Sequence, residues 1–213
     1  MKTRFVVFEG VEGSGKSTQV QMLAATLAAR GEDVVTTFEP GATKSGAVIR
    51  ELLLDMPLSL TPLTEMFLFC ADRTQHVHEV VRPALDAGKT VLSDRYELST
   101  VVYQGYASAV GVDLAERLND LATGGLHPDL TVVLDLDPAV GLNRNGAHER
   151  RDQIERRTLE FHQRVRRGFL WWAERHPETC LVLDALQPPE VLHEQVLQRL
   201  GLGGAEEAGE GGL

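Results

Sequence analysis

The chain predicts an α/β fold, a parallel sheet covered by helices on both faces. Three observations carry that reading: five short apolar runs, helical stretches lying between them, and a glycine-rich turn joining the first run to the first helix. The runs Arg4 to Glu9, Asp33 to Phe38, Thr90 to Asp94, Leu130 to Leu136 and Cys180 to Asp184 are rich in Val and Leu. They lack clean polar alternation, as strands do when both faces are buried. The helical stretches are Lys16 to Arg30 closed by Gly31, Pro62 to Ala87 closed by Gly88, and Asp152 to Arg175 ending before Pro177. The order is βαβα throughout, and in such sheets ligands gather at the carboxyl ends of the strands.

At 213 residues the chain can bury one full core, and a single domain is expected over residues 1–200. The Gly- and Glu-rich stretch from Gly201 to Leu213 holds too little apolar surface to order itself and is expected to be a disordered tail. With 31 acidic against 21 basic residues, the balance disfavours wrapping a nucleic acid, although a local nest of amides and arginines can still take a small phosphate. Cys70 and Cys180 stand far apart and the seven histidines show no metal spacing, so a disulfide framework or zinc site is not expected. Lys2 and Arg4 lead straight into a short strand rather than a signal peptide, and no apolar run approaches membrane-spanning length. The reading is a cytoplasmic protein with no membrane partner.

The turn after the first strand reads GVEGSGKS, from Gly10 to Ser17. A phosphate cradle needs several backbone N–H groups converging on one point, and Gly10, Gly13 and Gly15 permit the positive-φ turns that converge them. Lys16 would reach the β- and γ-phosphates, Ser17 would offer a hydroxyl to Mg²⁺, and the helix N-terminus would face the anion. The nucleotide-phosphate site is thus expected on Gly10, Val11, Glu12, Gly13, Ser14, Gly15, Lys16, Ser17 and Thr18.

A second informative stretch is FLFCADRTQHV followed by VLSDRYELSTVVYQGY. Phe69 and Arg73 are four apart on one predicted helix, which places an aromatic plate beside a planar donor, a combination that suits a flat base. Ser99 and Tyr103 repeat the spacing on the next helix, with Gln104 adjacent. Asp94 and Arg95 close a strand: Arg95 can clamp a phosphate bidentately, and Asp94 can act on Mg²⁺ through water. A third constellation is basic. Arg144, Arg150, Arg151, Arg156 and Arg157 flank a weak break at Asn145, Gly146 and Ala147.

GVEGSGKST, FEPGAT, FLFCADRTQHV, VLSDRYELSTVVYQG, HPDLTVVLDLDPAVGL and IERRTLEFHQRVRRGFL resemble, in order and spacing, the thymidylate kinases, phosphate-loop nucleoside monophosphate kinases that phosphorylate dTMP with ATP. The resemblance runs from about Phe5 to Asp184. It implies a five-stranded parallel sheet, Mg·ATP on the glycine loop and a homodimer. It also implies thymine stacked on Phe69, a hydrogen bond from Arg73 to the base, and further base or sugar contacts from Ser99, Tyr103 and Gln104. The acceptor phosphate would be held by Arg95 and Arg50, with Glu9 close to the sugar and phosphate and Pro40 in the Glu-Pro-Gly turn. The segment at about residues 141–157 resembles the kinase lid, from which Arg144 and Arg151 would join Lys16 and Arg95 in catalysis.

Two departures stand out. The turn lacks an arginine before Glu39 and a second glycine after Gly41, and Gln153 occupies a lid position where arginine is usual, so Arg150 or Arg151 can have taken over that role. Two other classes fit parts of the chain: a kinase for a different nucleoside or nucleotide, and a phosphate-loop regulatory ATPase. A GTPase is excluded, since the four lysines, Lys2, Lys16, Lys44 and Lys89, supply no NKxD guanine reader.

Overall fold

The computed structural model describes residues 4–145 and 152–203, with the side chain of Asn145 left aside. Five strands, β1 (Phe5–Glu9), β2 (Val34–Phe38), β3 (Thr90–Asp94), β4 (Leu130–Asp135) and β5 (Cys180–Asp184), form one all-parallel sheet in the order β2-β3-β1-β4-β5. β1 is central and buried throughout. Its side chains alternate: Phe5 and Val7 pack with Val77, Val81 and Tyr96, whereas Val6 and Phe8 join Leu23, Leu27 and Leu134. Both faces therefore carry apolar cores, which explains why the strands read as continuous apolar runs.

The helices are α1 (Lys16–Ala29), α2 (Lys44–Arg50), α3 (Pro62–His76), α4 (Arg82–Asp86), α5 (Glu97–Thr100), α6 (Val112–Thr123), α7 (Pro138–Asn145), α8 (Leu159–Ala173) and α9 (Pro189–Arg199). The stretch expected as one helix from Pro62 to Ala87 is α3 and α4 joined by a π-helical turn at Val77–Val81. Pro83 has no N–H to give and its ring crowds the preceding turn, so a wider turn before it is the accommodating geometry. Two further π-helical segments are Glu51–Asp55 after α2 and Val101–Ala107 after α5, the latter with Ser108 N donating to Tyr103 O at 3.0 Å.

Two sequence boundaries move. Asp152 does not open a helix: its Oδ1 accepts the N–H groups of Ile154 and Glu155, both at 2.8 Å, which winds 152–157 into turns. α8 begins at Leu159, where the Thr158 hydroxyl accepts Phe161 N at 3.3 Å as an N-cap. Within the tail expected from Gly201, Leu202 donates its N–H to Leu197 O at 2.8 Å and packs on the core; the rest of that stretch, residues 204–213, lies outside the described residues. Cys70 and Cys180 are buried and unpaired. Among the described residues no helix is long and apolar enough to cross a membrane.

Gly13 and Gly141 hold α7 against the turn after β1. A methyl at Gly141 would fall far inside contact distance of Glu12 O, and one at Gly13 would strike Gly141 O. Gly141→Ala is expected to lower stability by about 1–3 kcal/mol, because backbone rather than a flexible side chain must give way. Urea denaturation measures it, and an unchanged midpoint would mean that the two backbones are not held together.

Candidate active site

At the carboxyl ends of β1, β2 and β3 the chain opens a cleft of about 820 Å³. The Gly10–Ser17 turn forms one wall. Gly10, Gly13 and Gly15 have φ of 140°, 70° and 93°, values that L side chains rarely adopt, so the three glycines are required by the path itself. Gly15 in the left-handed region starts α1 and leaves the opening N–H groups facing the cleft, with no acidic residue in the first turn. Lys16 Nζ curls onto its own loop, donating to Gly10 O at 3.2 Å and Val11 O at 2.9 Å. Burial first, and the charge of Arg95 second, pull the Lys16 ammonium down to about 8. Ser17 Oγ donates to Asp94 Oδ2 at 2.5 Å, so the hydroxyl and carboxylate expected to serve a divalent cation stand side by side. These are hard oxygen donors beside the phosphate cradle, which fits Mg²⁺.

Arg95 is the centre of the opposite wall. Its backbone is left-handed, φ 72°, with its N–H donating to Phe8 O at 2.9 Å. Its guanidinium donates to Gly10 O (3.2 Å), Ser99 Oγ (3.1 Å) and Glu12 Oε1 (3.0 Å), and lies 5.3 Å from the Tyr103 ring centre. Tyr103 Oη donates to the same Glu12 oxygen at 2.7 Å. Burial works to raise the Glu12 carboxyl, but His162, Arg95, Lys16 and Tyr103 together hold it well below the usual carboxylate range.

Of the residues expected to bind the acceptor, Pro40, Arg50, Phe69, Arg95, Ser99, Tyr103 and Gln104 line the cleft. Phe69 is half-buried on α3, and Arg50 Nη1 donates to Pro40 O at 2.8 Å beyond the cis Glu39–Pro40 bond. Glu9 lies behind the wall: Oε1 accepts Tyr96 N (2.9 Å) and Ser99 N (3.1 Å), and Oε2 accepts Ser99 Oγ (2.6 Å). Burial raises the Glu9 carboxyl against the opposing pull of Arg95 and these donors. Glu9 thus caps the start of α5, and Ser99 carries its charge toward the cleft.

Arg73 stands apart from these residues. It does not line the cleft. It is 1 % exposed, and its guanidinium is committed to Glu39 Oε2 (Nε, 2.9 Å), Thr100 Oγ1 (3.0 Å), Asn119 Oδ1 (2.6 Å) and Tyr96 O (3.0 Å). Glu39 Oε1 pairs in turn with His76 Nδ1 at 2.8 Å, and His76 Nε2 with Thr37 Oγ1 at 2.6 Å. Arg73 shares the i,i+4 spacing with Phe69, and its buried charge is paired with the carboxylate on the turn after β2. Beside this network Asp72 accepts Gly41 N at 3.1 Å, and burial, with Glu39 next in weight, pushes its carboxyl up to about 6.

On the lid side Arg144 lies between Gly13 O and Ala185 O, 3.4 Å from each, and lines the cleft; Arg151 and Arg150 lie outside the described residues. Arg157 is turned away, paired with Glu65 and lying over the Phe161 ring at 4.6 Å. Gln153 ties the segment across the cleft, its N–H to Leu54 O (3.1 Å) and its amide to Met56 O (2.9 Å). Leu54, Thr100 and Ile154 were not expected in the site: an isolated aliphatic or Thr carries no motif, and the tertiary placement of 152–155 decides it.

If Arg73 is structural, Arg73→Met leaves Glu39 buried without its cation and is expected to cost about 3–5 kcal/mol of stability. Chemical denaturation checks this. A variant as stable as the wild type that has lost only nucleotide binding would restore the base-reading role.

The family model described as thymidylate kinase matches residues 8–196. Among curated proteins, the thymidylate kinase of Nitratidesulfovibrio vulgaris (strain DP4) is 50 % identical over 194 residues, 87 % of each chain. That of Deinococcus radiodurans is 46 % identical over 192 residues, 90 % of this chain and 93 % of the other. The crystal structure of thymidylate kinase from Ehrlichia chaffeensis superposes with a TM-score of 0.79 at 32 % identity, over 94 % of this chain and all of that one. With the phosphate loop, the Asp94–Arg95 strand end and the Phe69 wall placed around one cleft, these likenesses show that the chain belongs to the thymidylate kinase family.

Proposed function

We propose that this cleft transfers the γ-phosphoryl group of ATP to dTMP, giving ADP and dTDP, with the triphosphate on the Gly10–Ser17 loop and the monophosphate against Phe69 and Arg95. The single observation that carries the assignment of roles is the convergence of the loop, Asp94, Arg95, Tyr103 and Phe69 on one cleft. A 5′-phosphate oxygen of dTMP attacks the γ-phosphorus in line. In a loose transition state the nucleophile needs little activation, so positioning and charge neutralisation set the rate. Lys16 leaves its loop carbonyls for the phosphate oxygens, and Arg144, beside Gly13 O, supplies positive charge from the lid side. Arg151 is a second candidate for that charge. Ser17 and Asp94 would hold Mg²⁺, which supplies Lewis-acid neutralisation of the phosphates. Arg95 and Arg50 hold the acceptor phosphate, Phe69 stacks the pyrimidine, and Gln104 reads its edge while Glu65 Oε2 accepts its amide at 3.2 Å.

Tyr103, packed between Phe161 and Phe169, is a rigid wall suited to excluding a 2′-hydroxyl. A homodimer is supported by Leu63 and Phe67, exposed four apart on α3, and by Leu121 on the adjoining α6, an apolar face that a second copy would cover. Sedimentation of the purified chain at the mass of one copy would end that reading.

The direct test is ADP release coupled to a panel of nucleoside monophosphates. ADP is expected to appear only with an acceptor, fastest with dTMP; release without any acceptor would favour a regulatory ATPase. Tyr103→Phe removes the hydroxyl that Glu12 accepts and is expected to lower the preference for dTMP over UMP in kcat/KM about tenfold. Unchanged kinetics for dTMP, dUMP and UMP would remove Tyr103 from the site.

A further inference from the structure

His162 on α8 is fully buried, and neither of its ring nitrogens has a hydrogen-bond partner. The same is true of one oxygen of the phosphate-loop acid: Glu12 Oε2 is buried without a partner and lies 3.4 Å from His162 Nδ1. An orphaned buried polar atom destabilises the fold, and Phe or Leu would fill this core position, between Phe161 and Val165, without that cost. Two orphans facing each other are a hydrogen bond one small movement away from forming.

The other oxygen, Glu12 Oε1, is served by Arg95 and Tyr103. If Arg95 clamps the acceptor phosphate, as read above, and does so with the Nη2–H that now serves Glu12, that bond is exchanged for one to the phosphate. The carboxylate then keeps the Tyr103 hydroxyl alone while a second anion arrives in a poorly solvated cleft, a juxtaposition that disfavours binding. The groups that act on Glu12 at this point are Arg95 and Tyr103 from the β3–α5 side, Lys16 from the loop's own helix, and His162 from α8. Among these four groups His162 is the one whose polar side-chain atoms have no hydrogen-bond partner at all.

We infer that His162 is a positioning residue for the acceptor site: when Arg95 turns to the phosphate, the Nδ1–H of His162 closes on Glu12 Oε2 and holds the carboxylate back from the incoming anion. No proton is gained or lost. The imidazole adopts the tautomer that carries hydrogen on Nδ1, and Glu12 exchanges a guanidinium donor on one oxygen for an imidazole donor on the other.

The test combines two variants with a spectroscopic readout. His162→Phe keeps a ring of similar size but no donor and is expected to raise KM for dTMP about tenfold, with kcat and KM for ATP changed by no more than about twofold. His162→Asn places an amide near the position of Nδ1 and is expected to bring KM for dTMP back to within about threefold of the wild type. In ¹⁵N-histidine-labelled wild type, with the His162 signals assigned by their loss in His162→Asn, dTMP is expected to bring up a hydrogen-bonded Nδ1–H. A KM for dTMP unchanged in His162→Phe, an Asn variant no better than Phe, or a dTMP complex whose His162 Nδ1 carries no hydrogen would each overturn the inference. If a variant fails to fold, the wild-type spectrum decides. Arg95→Met separates the two levels: a raised KM for dTMP there with none in His162→Phe sinks the His162 role alone, whereas no change in Arg95→Met sinks the phosphate clamp beneath it.

Discussion

The guanidinium of Arg95 ties together the loop after β1, the end of β3 and the start of α5. Through Gly10 O, Glu12 and Ser99 it makes three chain segments share one half-buried cation. A buried charge must be paired, so the position of each partner is constrained by the others. Its backbone occupies the left-handed region at a cost of about 1–2 kcal/mol for a side chain other than glycine. That strain is tolerated because two local bonds fix the turn, Arg95 N to Phe8 O and Ser93 Oγ to Arg95 O. Straightening the turn would swing the guanidinium away from the phosphate loop. The strain is therefore what aims the cation into the cleft, where a side chain on regular strand geometry would have pointed into one face of the sheet or the other.

Behind the acceptor wall a second buried ion pair does a different job. The run from Asn119 through Arg73 and Glu39 to His76 and Thr37 joins α6, α3 and the end of β2. Most of its members have their donors and acceptors matched, the condition under which a buried polar network fixes geometry rather than weakening the core. Glu39 stands in the turn that carries Pro40 and Gly41, and Arg50 donates to Pro40 O. Arg73 thus acts on the cleft through the shape of this turn. Such networks add little net stability compared with apolar packing, but they admit fewer alternative arrangements.

The fold was readable because both of its signals are local. Apolar runs following the helix stops at Gly88 and Pro177 placed β3 and β5 to the residue, and the glycine loop located Lys16 and Ser17, since a phosphate cradle leaves a contiguous imprint on the chain. What escaped was set by tertiary contacts. Phe69 and Arg73 share a helix face, yet one reaches the cleft and the other is taken by Glu39, thirty-odd positions earlier in the chain and invisible to any local pattern. The start of α8 was placed seven residues too early because Asp152 is an equally good cap and turn former, and only its bonds to Ile154 and Glu155 choose between the two. His162 reads as one more apolar-face histidine until Glu12, 150 positions away, is brought to its side.

A chain with a formal charge of −10 must still attract highly charged phosphates. It does so by concentrating cations: Lys16, Arg50, Arg95 and Arg144 all line one cleft. Left exposed to one another these groups would repel, and the structure shows how they are kept together. Lys16 rests on the carbonyls of Gly10 and Val11, Arg50 on Pro40 O, Arg95 on Glu12, and Arg144 beside Gly13 O and Ala185 O. Each cation is thus held by an acceptor that a phosphate oxygen can replace. Binding then exchanges hydrogen bonds instead of creating them, so its net free energy is the difference between two sets of charge-assisted bonds. The same logic makes acids necessary in a site for anions. Without Glu12, Arg95 would have no internal counter-charge on the phosphate loop, and the neutral carbonyl of Gly10 would be left to hold its guanidinium to that loop.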